Sequence, residues 1–115
     1  MVSDDEIKEA YMKMMNDRTE LFDASERELK AREILKRAEF AVLIEYSEDP
    51  KALGGNESAR NAKIAELTYL ERAVLERAET EKRGAQLVYE LSGMRADCLK
   101  WRVRNNQANS DMERI

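Results

Sequence analysis

Apolar residues recur at every third or fourth position along most of the chain. A first series runs Ile7, Ala10/Tyr11, Met14/Met15, Leu21/Phe22, Leu29, Ile34/Leu35, Ala38, Ala41/Val42, Tyr46. A second runs Ala59, Ala62, Leu67, Leu70, Val74, Ala78, Ala85, Val88, Leu91, Cys98, Leu99. That spacing marks one face of an α-helix. Between the two series, Pro50 cannot continue a helix and the pair Gly54-Gly55 permits a tight turn. The pattern therefore predicts a single helical domain: a helix over 4–46, a turn over 47–56, a helix over 57–104 and a fraying polar tail over 105–115. Ser3 and Glu6 have capping-box spacing at the first helix start, and Asn56 or Ser58 can cap the second. The weak stretch is Asn16–Ser25, where a kink or break would leave a three-helix monomer as the rival arrangement.

Helices of that length are rods of about 65–70 Å at about 1.5 Å per residue. A short connection makes them antiparallel neighbours, so the fold class is all-α, a long helical hairpin. Folding back at the turn sets Val42 opposite Asn61/Ala62, Leu35 opposite Leu67/Tyr69, Met14 opposite Val88/Tyr89 and Ile7 opposite Ala96/Cys98. It also sets Phe22 against the small residues Thr80, Gly84 and Ala85. Both apolar stripes are wide: Met14 with Met15, Leu21 with Phe22, Val74 with Leu75, Leu87 with Val88. A lone hairpin covers one narrow stripe per helix, so dimerisation into a four-helix bundle or coiled coil is expected.

The chain has 115 residues, 20 Lys+Arg against 24 Asp+Glu, and no His. Without His there is no Ser–His–Asp or Cys–His catalysis and no His-ligated metal. The single Cys98 excludes an internal disulfide and is expected to face the core. Most carboxylates have a base three or four positions on, as in Glu9–Lys13, Glu28–Arg32, Glu33–Lys36/Arg37 and Glu79–Lys82/Arg83. These read as an ion-paired face rather than a metal site. Glu81 points inward in register, with Arg77 or Lys82 near enough to satisfy it. No catalytic residue, metal or cofactor is expected. No apolar run reaches the roughly 18 residues of a membrane span, and the acidic start is the reverse of a signal peptide.

Two segments are candidate binding sites. Gly54, Gly55, Asn56, Arg60 and Lys63 place a glycine turn and two cations at a helix start, where free amides can hold an anion. Arg95, Lys100, Trp101, Arg102 and Arg104 surround an aromatic ring with cations, the minimum for stacking and neutralising single-stranded nucleic acid. The rival role for those cations is neutralisation of Asp4, Asp5, Glu6 and Glu9 at the start of the first helix. Residues 1–57 hold nine bases against fifteen acids, and residues 58–115 eleven against nine. Such a chain is a poor general duplex binder.

The run Ala52-Leu53-Gly54-Gly55-Asn56-Glu57-Ser58-Ala59-Arg60-Asn61-Ala62-Lys63 and the trailing Leu87–Arg104 segment resemble small helical phage and prophage accessory proteins, in which a Gly-Gly-Asn turn precedes a long charged helix. The resemblance covers about half the chain, Ala52–Arg104. It implies a non-enzymatic accessory role in the cytoplasm of an infected bacterial host, acting on a host or phage protein. It transfers no catalytic residues. Two functions follow as expectations. One is a partner of DNA recombination or replication, with weak single-stranded DNA contact through the Trp101 end. The other is an inhibitor of antiviral defence, either an acidic helical decoy or an oligomer that sequesters a nucleotide signal.

Overall fold

The structure is a computed structural model that describes residues 2–113, with side chains described to residue 109. It is all-α, and its long first helix packs against its long last helix as a helical hairpin. Helix α1 spans Asp4–Glu45, a 3-10 turn spans Pro50–Ala52, α2 spans Glu57–Leu67 and α3 spans Tyr69–Glu113.

α1 is unbroken, so the expected weak point at Asn16–Ser25 does not interrupt it and the three-helix rival falls. Its polar residues are absorbed by the helix itself. The Thr19 hydroxyl donates back to the Met15 carbonyl at 3.1 Å, and Lys13 reaches Asp17 at 2.8 Å. At the start, Ser3 Oγ accepts from the Glu6 amide at 3.2 Å. The turn is tight because Gly54 has φ +155, and a Cβ there would lie 2.8 Å from the backbone of Ala59 and Arg60. Asn56 then caps α2, its Oδ1 accepting from the Ala59 amide at 2.8 Å.

The second expected helix departs from its predicted bounds in two ways. It is interrupted at Thr68, where both the backbone N–H and the hydroxyl donate to the Ile64 carbonyl, at 3.0 and 2.7 Å. Doubling up on one acceptor opens the backbone to φ −109, ψ 25, a bend that helical Thr residues favour. At the other end α3 continues through Asn105–Ser110, where a fraying tail was expected. Asn and Gln cost only tenths of a kcal/mol each in a helix, and no Gly or Pro stops it. The last residues of that tail, 114 and 115, lie outside the described ones.

The chain divides into two compact units, one joining the first 23 residues to those from Arg83 on, the other Ala24–Lys82. In the first, α1 covers Ile7, Ala10, Met14, Asp17 and Leu21, and α3 covers Ala85, Tyr89, Ser92, Ala96 and Leu99. Alternating spacings of three and four are the signature of a two-stranded seam. Ala10, Ala96 and Leu99 form its centre, with Val2, Ile7 and Met14 against them. In the second unit Ala31, Leu35, Leu75 and Ala78 are the centre.

These seams correct the expected register. Ile7 does meet the Ala96 layer, but Leu35 packs with Leu75 and Ala78 rather than Leu67/Tyr69, more than a turn further along. Phe22 is 64% exposed, and the space over Gly84 is empty. The proposed large-against-small contact is therefore absent. The polar contacts across the seams mark the register actually adopted: Asp17 meets Ser92, Glu28 meets Lys82 and Glu39 meets Arg72.

Candidate functional site

The seam is narrow, and exposed side chains stand beside it. In the first unit, α3 buries Ser92, Ala96 and Leu99. Its outer surface then carries Leu87, Leu91, Met94, Cys98 and Trp101, all exposed, again at spacings of four and three. Cys98 is therefore not core-facing: Leu99, one position on, takes the buried place. Between this stripe and α1 lies a groove of about 240 Å³, with Val88 and Leu91 as its apolar wall and Lys13 and Arg95 on its rim.

Trp101 stands 62% exposed, with the Arg104 guanidinium 5.7 Å from its ring centroid. That is cation–π range. Arg95 and Arg102 lie seven residues apart on one flank of the ring, and Lys100 and Arg104 on the other; all four are exposed. Among the described residues none of these cations makes an ion pair, including with Asp4, Asp5, Glu6 or Glu9. Among the described residues the cations form no direct ion pair with the α1 start, and all four side chains are exposed.

The Gly54–Lys63 segment is assembled differently. Asn56 Oδ1 already occupies the cap that an anion would take. Gly55 is exposed, Arg60 extends into solvent, and Lys63 leans on Glu66 at 3.8 Å. The structure shows the segment as a turn and a helix start capped by Asn56.

Two carboxylates in the seams have perturbed ionisation. Hydrogen bonds from Lys13 and then Ser92 hold Asp17 below its ordinary carboxyl value. Hydrogen bonds from Arg32, at 2.8 Å, and then Lys82, whose Nζ is 3.1 Å away, do the same for Glu28. Asp17 is thus tied to α3 through a hydroxyl, and Glu28 through the Lys82 ammonium. Lys13 goes to Asp17 rather than the expected Glu9, and Glu79 goes across to Arg32 at 3.4 Å, while Glu28–Arg32 forms as expected. Glu81 finds Arg27 across the seam, at 3.6 Å, in place of Arg77 or Lys82. Among the described residues no cluster of Cys, Asp and Glu is placed to hold a metal ion, and no helix is long and apolar enough to cross a membrane.

Of the exposed stripe on α3, the sequence pattern sets Leu91 and Cys98 on the apolar face and Trp101 in a binding cluster, and gives Met94 no place. The missing signal was the strict alternation of three and four through Asp17, Glu28, Lys82 and Ser92, which apolar counting skips. Comparison with protein-family models, with curated proteins and with solved structures gives no match.

Proposed function

We propose that this chain is a non-enzymatic binding protein, of the phage accessory kind, that works as an assembly of hairpins. The observation that carries the reading is the stripe Leu87, Leu91, Met94, Cys98, Trp101, exposed at the same spacing by which α3 buries its seam. Patterned apolar surface of this kind is normally covered by another helix. The thin core supports the same reading: among the described residues, half of the ten buried apolar ones are alanines, which bury one methyl each. Chains with little core commonly gain stability by association. Sedimentation tests it. Two or more chains per particle are expected at micromolar concentration, and Leu91→Glu with Met94→Glu should return single chains of unchanged helix content. A single-chain mass for the unaltered protein overturns the assembly.

The unpaired cations around Trp101 favour a second activity for the same protein, a weak contact with single-stranded nucleic acid. Charges would track phosphate while the indole stacks a base. Short oligothymidylate should quench Trp101 fluorescence at low salt and lose its effect as salt rises. No quenching at low salt ends this reading.

A further inference from the structure

The second unit has its own uncovered face, and its chemistry differs from that of the Trp101 stripe. Beside the buried Ala31, Leu35, Leu75 and Ala78, one flank of the seam exposes Ile34 on α1 and Val74 on α3, at 53% and 57%. They border a groove of about 270 Å³ whose rim includes Lys30 and Arg77. Helical spacing continues both walls. On α1 the flank runs Ile34, Ala41, Ile44; on α3 it runs Leu70 and Val74, with Leu67 at the end of α2 beyond the Thr68 interruption, and all six are exposed. Two rows of apolar side chains on adjacent helices make the seat for a third helix. From Ile34 to Ile44 the seat is about 15 Å long, or roughly three helical turns.

Charge decides what can sit there. Lys30, Arg37 and Arg77 stand on this flank, and among the described residues none has a carboxylate within ion-pair distance. Glu81, the acid among the residues lining the groove, is taken by Arg27 at 3.6 Å, and Glu26 and Glu33, a turn from Lys30 and Arg37 on α1, lie outside ion-pair distance of them. A second copy laid on this face would set these cations against themselves, which opposes self-association. An acidic occupant would satisfy them.

We propose that this groove docks an amphipathic helix of a partner protein, its apolar side on Ile34, Leu70 and Val74 and its acidic side chains against Lys30, Arg37 and Arg77. The proposal rests on the reading of the chain as a binding protein and not on its self-assembly.

Two labelled peptides of about four turns test it by fluorescence anisotropy on the full chain. Both carry Leu at positions i, i+3, i+4 and i+7; one carries Glu at the remaining positions and the other Lys. The Glu peptide is expected to bind, and to bind about tenfold or more tighter than the Lys peptide at low salt, with the gap closing at raised salt. Lys30→Glu with Arg77→Glu, both on exposed positions, should reverse the preference while circular dichroism stays unchanged. Val74→Asp should weaken the Glu peptide without altering helix content. Equal binding of both peptides, or none, overturns the proposal. So does a change in sedimenting mass caused by the charge-reversed pair, since a second copy would then cover the face. A single-chain mass with selective Glu-peptide binding would sink the assembly reading and leave the groove standing.

Discussion

The two units use the same pair of helices and hold them by different means. In Ala24–Lys82 the helices are bridged by four ion pairs across the seam: Arg27–Glu81, Lys82–Glu28, Arg32–Glu79 and Arg72–Glu39. In the other unit no cross-seam ion pair forms among the described residues. Alanine packing and a contact of the Ser92 hydroxyl with the Asp17 carboxylate join the helices there. The difference separates two jobs. Apolar layers supply most of the cohesion, while polar seam residues choose which layers meet. In coiled coils a polar group at one seam position can fix register at some cost in stability.

The largest effect should come from the apolar layers. Leu35→Ala in the second unit and Leu99→Ala in the first each remove a side chain that is more than nine-tenths buried. Each should cost about 2–4 kcal/mol in denaturant unfolding, with hydrogen exchange quickening first in the unit that was cut. Equal quickening everywhere would show that the two units unfold as one.

Next comes acid. Asp17 and Glu28 have folded values below their ordinary ones, so their contribution is complete above the unfolded carboxyl value of about 4 and is lost as pH falls through the folded values. Melting temperature should therefore drop below about pH 4. Glu28→Gln should lower stability at neutral pH and flatten that drop, and Asp17→Asn should do the same through the first unit. An unchanged acid profile in both variants would remove the polar residues from the account.

The smallest effect belongs to the exposed pairs. Arg27→Ala, breaking a 3.6 Å contact between half-exposed side chains, should cost no more than about 0.5 kcal/mol and should vanish at raised salt. A loss several times larger would mean that charge, not alanine and leucine, holds the second unit together.

Much of the architecture can be read from residue order. Pro50 and Gly54 mark the turn, Ser3 and Asn56 mark the helix starts, and the hairpin follows from two amphipathic series with a short link. Which side of each helix turns inward could be read only in part: Ala10, Leu35, Val42, Ala78 and Leu99 belong to the apolar series and are buried, but other members of it are not. Phe22, Val74 and Val88 are more apolar than Asp17, Ala24 and Ser92, yet the latter three sit nearer the partner helix. Small residues let the helices approach closely, and the polar ones find partners only in one register, a gain visible only once both helices are in place. Thr68 was hidden for a similar reason. Its hydroxyl also accepts from the Arg72 Nε at 3.1 Å, and Arg72 reaches Glu39 on α1 at 3.3 Å, contacts that exist only once the hairpin has closed. Of the candidate sites, the Trp101 cluster was legible by composition. The Lys30–Arg77 groove was not, because its walls come from residues about forty positions apart in sequence.

Cys98 carries a practical consequence. An accessible thiol on an outward helix face can oxidise with its counterpart on a neighbouring molecule once air replaces a reducing medium. A pair linked in this way has the same weight as one joined only by side-chain packing. Only reductant, or serine in place of the sulfur, tells accidental chemistry from genuine companionship between chains.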